Sequence, residues 1–370
     1  MVREVAPNLS YHYWGLGVRG MNLGEEADSQ VIVRGSEFNH DKEIEMEDDE
    51  GHMGTATTRM SSYRTRATAS PSFTDKCRYR EGWEDIWLLL LGSDDGTGAI
   101  RKQTHEGQSN IYDYTFKINV DAPQDPYFCT IYNGFAKTVN DAYKYEDCLL
   151  SEFELSGSNE EAPTYTATFS SNFPKFHQTN PTRTFPNTTI FNKSADVDIY
   201  IAPQGTYTME TIAQYKYPCY LDWSISVSNN IESVPCSGDA FGESTKVLGN
   251  REGSFSITLP WTEATKGLEY KFMGGNTNVN TTTVTPNNDV KTVWIVMTSA
   301  KIGSTDVSYQ TVIKIPRIVM TAVNSPQSGS DAKQLELEGN IEESGTESFI
   351  ETVVTTTLTD LHIDSTQNTP

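Results

Sequence analysis

The chain has 370 residues, which is long for one compact β-domain and predicts two domains with additional tails. The mean hydropathy is −0.50 and 36% of the residues are hydrophobic, with abundant Thr, Ser, Asn, Tyr, Val and Ile, the residues typical of strands and turns. The formal net charge of −22 argues against a surface that grips nucleic acid, because such a surface needs Lys and Arg to replace the counterions of the phosphates.

No targeting segment is expected. Residues 1–10 lack an apolar core, and the longest strongly apolar run, 86–91, is far too short to span a bilayer. The five cysteines are odd in number and widely spaced without a C-x-x-C, which favours neither a disulfide framework nor a zinc site. We therefore expect a protein made in the cytosol whose cysteines are buried, reduced thiols.

The first third of the chain predicts an arm and a long hairpin. Residues 1–30 carry aromatic residues without a period and then several glycines, which indicates an extended arm of the kind that docks on a neighbour. A strand-like run at 30–33 precedes the acid-rich segment 37–50, where Ile44 and Met46 alternate with acids. Segment 59–79, rich in Thr, Ser, Tyr and Arg, is the expected returning strand.

A short amphipathic helix is predicted next, packed on the sheet, with Gly92 as its C-cap. The apolar residues at spacings of three, one, three and one that define its buried face are Trp83, Ile86, Trp87, Leu90 and Leu91. Alternating strands are then expected at 112–120, 127–132, 148–155 and 164–170, separated by Gly, Pro, Asn or Asp turns.

The second half repeats this order. A strand at 221–227, a turn-rich loop and a strand at 254–259 lead into a second short helix over 262–273, in which Leu268 and Phe272 lie one turn apart. Strands follow at 292–297, 310–315, 317–323 and 335–341. Segment 349–358 is expected to add an edge strand, and the last residues to fray.

The sequence contains short patterns that are typical of nucleotide-binding or metal-binding sites, but none of them has the surrounding secondary structure or ligand spacing that such a site needs. Gly15, Gly17 and Gly20 spell G-x-G-x-x-G, but no strand–helix unit surrounds them as a dinucleotide site requires. The six histidines are scattered without a metal-ligand spacing, and the acid-rich turns lack the ligand ladder of a calcium loop. We therefore expect no catalytic residues, no cofactor and no metal, and a protein that is not an enzyme.

The order of elements resembles the tail tube proteins of long, non-contractile bacteriophage tails, also called the major tail proteins of siphovirus-type phages. The resemblance is one of pattern over residues 31–343. The segments that carry it are Glu50-Gly51, 83–92, 112–118, the Cys-Leu-Leu-x-x-Phe-x-Leu at 148–155 and the Tyr-Thr-Ala-Thr-Phe at 165–169.

The resemblance implies an all-β fold of two tandem tail-tube-like β-sandwich or β-barrel domains, each with one short flanking α-helix, plus an N-terminal arm and a C-terminal tail. The expected boundaries are an arm at 1–30, a first domain at 31–180 with the acidic hairpin, a structured linker at 181–215, a second domain at 216–345, and a C-terminal strand and flexible tail at 346–370.

The function implied is a structural virion protein that forms stacked rings, the tail tube through which the genome is ejected. Its partners would be copies of itself, in rings that are either trimeric and pseudo-hexameric or hexameric, together with the tape-measure protein and the tail completion proteins. Double-stranded DNA would be met only in transit, without specific nucleic-acid binding, and no membrane would be involved. Assembly in the host cytoplasm and residence in the virion follow. The residues implied for the inter-ring hairpin or the lumen are Asp41, Glu43, Glu45, Asp48, Asp49 and Glu50.

Two alternatives stay open at the level of sequence. One is a β-sandwich adhesin or binding module of a virion or cell surface, which would stay a monomer or a compact trimer. The other is a different ring protein of the same tail, such as a distal tail or terminator protein. The second domain could also decorate the outside of a hexameric ring rather than line it.

Overall fold

The computed structural model describes residues 13–18, 31–33, 37–49, 61–92, 100–118, 127–134, 142–172, 174–177, 190–234, 245–272, 289–326, 333–344 and 347–361. Over these residues the protein is all-β with short helices, which confirms the fold class predicted from composition and alternation.

The elements of the first half of the chain are β1 (Tyr13–Val18), β2 (Val31–Val33), β3 (Glu37–Asp49), β4 (Ser61–Lys76), β5 (Arg78–Tyr79), α1 (Trp83–Leu91), β6 (Lys102–Thr104), β7 (Tyr112–Lys117), β8 (Cys129–Gly134), β9 (Ala142–Ser158), β10 (Thr164–Ser170) and β11 (Lys175–His177). Those of the second half are β12 (Ile190–Phe191), β13 (Val197–Pro203), α2 (Met209–Ile212), β14 (Lys216–Tyr217), β15 (Asp222–Ser228), β16 (Ile231–Val234), β17 (Thr245–Leu248), β18 (Glu252–Pro260), α3 (Glu263–Phe272), β19 (Val290–Lys301), β20 (Ser308–Asn324), β21 (Gln334–Ile341) and β22 (Glu351–Thr356).

One antiparallel sheet runs through both halves of the chain. Its hydrogen-bonded order is β3, β4, β10, β9, β15, β18, β21 and β20, and we call it the eight-stranded sheet. The predicted acidic hairpin is confirmed as β3 and β4, which pair from Glu37 opposite Thr74 to Asp49 opposite Ser61. The hairpin extends past β10, whose pairing with β4 covers Ser72 to Lys76.

Two further sheets share strands with the first. The second sheet has the order β14, β13, β19, β20, β22, β7 and β6, and the third has β2, β1, β8, β9 and β11. β9 bends from the third sheet into the eight-stranded sheet at Asp147, whose φ of 50° is left-handed. β20 changes sheets near Pro316, where the register shifts opposite Lys291 and Val293, so the missing N–H of proline breaks no regular pair.

The sequence repeat is visible in the strand order. In the first half, the hairpin strands β3 and β4 are followed along the chain by α1 and later by β9 and β10, and their order in the sheet is β3, β4, β10, β9. In the second half, β15 and β18 are followed by α3 and later by β20 and β21, and the order in the sheet is β15, β18, β21, β20. The halves are also joined, because β9 pairs with β15, β7 pairs with β22, and one hydrophobic core contains residues of both. The division into two domains stays a prediction.

Helix α1 occupies its predicted position but not its predicted environment. Trp83, Ile86, Trp87, Leu90 and Leu91 are all buried, as expected. The expectation of an amphipathic helix is wrong, because all nine residues of α1 are buried, the acids of its first turn included. The reason is that α1 contacts β9 of the eight-stranded sheet on one side and β7 and β22 of the second sheet on the other.

Helix α3 follows its prediction more closely. Thr262 and Thr265 cap its first turn reciprocally, with each backbone N–H donating to the other's hydroxyl at 2.8 and 3.2 Å. Leu268 is buried, and Phe272 is half-buried against the same core. The helix packs on β20 and β21.

Four expectations need correction. The segment 349–358 does not form an edge strand, because β22 pairs with β20 on one side and β7 on the other. The two strands expected at 310–315 and 317–323 are one strand, β20. Residues 13–18 of the predicted arm form β1 between β2 and β8, and the rest of 1–30 lies outside the described residues. Cys219 is exposed, whereas Cys77, Cys129 and Cys148 are buried free thiols as predicted.

The predicted linker 181–215 also contributes to the core. Among its described residues, β13 pairs along its whole length with β19 and so belongs to the second sheet. Buried apolar side chains on alternate positions of β13 explain this, since Val197, Ile199 and Ile201 face the main core.

Candidate functional site: the polar face of the eight-stranded sheet

The eight-stranded sheet has one buried face and one polar face. In β9, Phe153 and Leu155 are buried while Glu152 and Glu154 are exposed. In β15, Trp223 and Ile225 are buried while Ser224 and Ser226 point to the other side. Because side chains alternate along a strand, the face opposite the core is continuous from β3 to β20.

Strand register places the exposed residues in rows that cross the whole sheet. One row, read from β3 to β20, is Glu37, Thr74, Thr166, Glu154, Ser226, Ser254, Asn340 and Val319. Another, read from β4, is Lys76, Thr164, Ser156, Ser224, Ser256, Glu338 and Ala322. The buried row between them is Asp75, Tyr165, Leu155, Ile225, Phe255, Gly339 and Met320, which is apolar except for Asp75. Each one-residue step along a strand therefore changes face.

This face, which we call the polar face, consists mainly of carboxylates and hydroxyls, with Lys76, Asn340, Val319 and Ala322 also in its rows. Its carboxylates are Glu37, Asp41, Glu43, Glu152, Glu154, Asp222, Glu252, Glu336 and Glu338. In the part of the chain that the structure describes, none of them is in a salt bridge. Of the cations in or beside this face, Arg317 donates to Glu342 and Arg251 to the Asn229 side chain, while the exposed Lys76 lies 5.5 Å from the centre of the Phe191 ring.

Hydroxyl groups join neighbouring strands between these acids. Thr74 and Thr166 are 2.9 Å apart through their Oγ1 atoms, and the Oγ atoms of Ser224 and Ser256 are 2.8 Å apart. The Thr258 hydroxyl donates to the Asp222 carboxylate at 2.7 Å. A face of this composition is strongly hydrated and negative.

Two shallow clefts lie in the polar face, and both are lined mainly by polar residues. A cleft of about 590 Å³ is lined by Ser226, Glu252, Ser254 and Asn340, and one of about 310 Å³ by Ser156, Asp222 and Ser224. Besides hydroxyls and carboxylates, the lining of the first cleft includes Arg251 and Ile341, and that of the second includes Ala162 and Trp223. Among the described residues that line them, no two buried acids lie together. A third cleft of 260 Å³ on the second sheet lies beside Trp294, where Lys314 covers the indole and is paired with Glu351 at 2.7 Å.

The predicted hairpin residues lie on or beyond this face. Asp41 and Glu43 are exposed on β3, on its polar side. Glu45, Asp48 and Asp49 belong to the part of β3 that continues past β10, and Glu50 lies outside the described residues. Their role in a lumen or between rings stays a prediction.

The opposite side of the same hairpin carries exposed apolar side chains. Ile44 is 47% exposed and Met46 54% exposed, at positions that alternate with the acids. Nearer the sheet, Phe38 is half-buried against the core, and the His40 ring lies 2.5 Å from the Tyr145 hydroxyl. The base of the hairpin is therefore fixed to the body, while further out Ile44 and Met46 are exposed on the side opposite to Asp41 and Glu43.

Most of the polar face was missed by sequence reasoning. The alternation Glu-x-Glu in "SEFELS" and in "QLELEG" was the signal for Glu152, Glu154, Glu336 and Glu338. It predicts a strand with one acidic side, but which strands lie side by side depends on the pairing of β9 with β15, which no local pattern specifies.

Comparison with protein-family models and with curated proteins gives no match to this chain. Within the described residues, no group of three His, Cys, Asp or Glu side chains is arranged to hold a metal ion. No helix in that same part of the chain has the length and apolar composition needed to cross a bilayer.

Proposed function

We propose that this chain is a structural virion protein that assembles into stacked rings and forms the tail tube of a long-tailed bacteriophage, with the polar face lining the channel. The observation that carries the proposal is the eight-stranded sheet itself. It is built from a four-strand unit used twice, it is polar and acidic on one side, and it ends in two strand edges.

The negative charge of the polar face supports a channel through which DNA can pass. A wall that contacts a moving polyanion must not form ion pairs with its phosphates, because each such pair releases counterions and binds. The polar face offers mainly carboxylates and hydroxyls, and its carboxylates outnumber the cations in or beside it, which are Lys76, Arg251 and Arg317. DNA in transit would therefore stay hydrated and mobile.

The repeat supports a ring. Three copies would bring six four-strand units around one axis, and closure removes the exposed edges that otherwise invite aggregation. A barrel of ~24 strands spaced about 4.8 Å apart has a backbone diameter of about 40 Å, which leaves a wide water-filled channel. The exposure of Ile44 and Met46 on the hairpin beyond β10 supports a contact between this hairpin and a stacked ring.

The proposal includes the partners and location that the sequence resemblance implies. The chain would bind copies of itself, the tape-measure protein inside the tube and the tail completion proteins at its end. It would assemble in the host cytoplasm and remain in the virion, without enzymatic activity or a cofactor.

Negative-stain electron microscopy of the purified chain tests the proposal. Hollow filaments or stacked rings with threefold or sixfold end views are the expected result. Single rings that never stack would favour another tail ring protein. A persistent monomer in the presence of a tail extract that supplies the initiating complex would contradict the proposal and favour a binding module.

A further inference from the structure

The eight-stranded sheet ends in two edges that can accept another strand. β3 pairs with β4, and residues 321–324 of β20 pair with β21; neither has a second strand partner in the described part of the chain. Backbone N–H and C=O groups along such an edge are a template for an incoming strand. These two edges are where the sheet can continue into another molecule.

The internal repeat can be aligned residue by residue because both halves contain the same β-bulge. In β9, Ser151 is the extra residue opposite β10, and its hydroxyl donates to the Thr168 carbonyl at 2.9 Å. In β20, Thr321 is the extra residue opposite β21, and its hydroxyl donates to the Glu338 carbonyl at 3.3 Å. Ser151 therefore corresponds to Thr321, and Glu154 to Asn324.

The same alignment carries across the sheet to the hairpin strands. Thr166 lies opposite Thr74, and its equivalent Glu336 lies opposite Thr258. An independent pair agrees, since the bridge between Ala69 and Ser171 is matched by the pairing of Gly253 with Ile341. Thr74 pairs with Glu37 and Thr258 with Asp222, so β3 corresponds to β15, with Asp41 at the position of Ser226.

The structure contains one junction between repeat units, and it shows how the next is made. Within the chain, β9 joins β15 antiparallel, with Glu154 opposite Ser226 and Glu152 opposite Ser228. We propose that β20 of one copy joins β3 of a second copy in the equivalent register, with Asn324 opposite Asp41 and Ala322 opposite Glu43. The inference rests on the proposed function for the existence of a ring and adds the strands and register that close it.

Side-chain chemistry fits this register at both junctions. At the internal junction Glu152 and Glu154 of β9 face serines of β15. At the new junction Asp41 and Glu43 of β3 face the neutral Asn324 and Ala322. Like charges directly opposite each other destabilise a strand pair, and the register avoids them. A shift by one residue would turn Asp41 and Glu43 away from the polar face.

Disulfide trapping tests the register. The backbone N–H of Asn229 donates to the Ser151 carbonyl at 2.8 Å, so Glu154 and Ser226, three positions away, are a non-hydrogen-bonded pair. Such pairs have Cα atoms about 4.5 Å apart, within the range that a disulfide spans. The test variant carries Asp41→Cys and Asn324→Cys in a chain with Cys219→Ser and Cys236→Ser.

Mild oxidation of this variant, run on a non-reducing denaturing gel, is expected to give a ladder of covalent multimers that stops at the copy number of the ring. Asp41→Cys with Ala322→Cys is the matched off-register control. It should cross-link at least about tenfold less, because diagonal residues are about 7–8 Å apart. Glu154→Cys with Ser226→Cys, which closes inside one chain, shows that the fold is intact and the oxidation effective.

The outcomes separate this inference from the proposed function. Equal or better cross-linking of the off-register pair, or monomer alone while the internal pair closes, would overturn the register. Filaments in which the cysteines at positions 41 and 324 do not cross-link would overturn the register but would still support the tube proposal. Cross-linked rings that never stack would support the register and count against a tube.

Discussion

Glu84 lies in the first turn of α1 with its side chain fully buried. Its carboxylate accepts from the Arg80 backbone N–H at 3.0 and 3.1 Å, but burial is the larger effect and raises the pKa of Glu84 to about 7, with the neighbouring Asp85 acting in the same direction. The folded protein therefore keeps a proton on Glu84 at a pH where the unfolded chain has released it.

This sets the sign of a pH effect on stability. Between the ordinary glutamate pKa of 4.5 and about 7 the folded state binds more protons, so the free energy of unfolding falls as pH rises and then levels off. We expect Glu84→Gln to remove a decrease on the order of 2 kcal/mol between pH 5 and pH 8. Urea unfolding at several pH values measures it, with the exposed Glu160→Gln as control. Parallel curves for Glu84→Gln and the unmodified chain would refute the argument.

We predict opposite changes in stability when alanine replaces glycine at two positions, 339 and 267. A Cβ on Gly339 would lie 2.5 Å from Ile318 Cγ2 and 2.9 Å from the Val319 carbonyl oxygen, which cannot move aside easily. Gly339→Ala is expected to destabilise by about 1–3 kcal/mol. Gly267, inside α3, has nothing within 4 Å of an added Cβ, so Gly267→Ala should stabilise by about 0.5–1 kcal/mol. A denaturant midpoint that does not fall for Gly339→Ala would contradict the described packing around Gly339, and one that does not rise for Gly267→Ala would contradict the open space beside Gly267.

At the scale of elements, the sequence predicted those features that depend on residues close together in the chain. The spacing of Trp83, Ile86 and Trp87 predicted α1, and Gly92 ended it, because both signals lie within a few residues. The burial of Glu84 and Asp85 was not predictable in the same way. It depends on β22, which arrives from the far end of the chain and covers the side of α1 that the spacing assigned to solvent.

The position of β22 makes truncation a sharp test. Thr352, Val354 and Thr356 are buried, and β22 supplies hydrogen bonds to both β20 and β7. A chain ending at Ile350 should lose its cooperative thermal transition, since two strands lose their partner and α1 is uncovered. Its tryptophan fluorescence should shift to longer wavelength as Trp83 and Trp87 meet water. A chain ending at Leu361 is the control, and similar melting of both would show that β22 is dispensable.

At the scale of the whole molecule, the candidate site was half predictable. Asp41 and Glu43 were identified because the acids of the hairpin are contiguous in sequence. Glu152, Asp222 and Glu252 were not, because each sits on a different strand and only the pairing of β9, β15 and β18 places them on one face. The order of elements did indicate the repeat, since it is conserved between the halves even where residue identity is low.

The acidic face leads to a prediction about DNA. Glu152→Lys, Glu154→Lys and Glu252→Lys together replace three exposed carboxylates of the polar face with ammonium groups. Assembled protein carrying these changes should acquire binding to duplex DNA whose log affinity falls with log salt, at a slope of about −0.9 for each phosphate contacted and so about −3 for each chain that contacts the duplex through all three lysines. Fluorescence anisotropy of a labelled duplex at rising salt measures the slope.

The matched control changes the net charge equally but away from the polar face. Glu210, Glu263 and Asp306 are exposed on α2, on α3 and in the turn before β20, and replacing all three with Lys leaves the polar face unchanged. If the polar face lines the channel, DNA enclosed by a ring meets the first set of lysines and not the second. Equal binding by both variants would mean that net charge alone determines contact with DNA. That result would contradict the proposal that the polar face lines the channel.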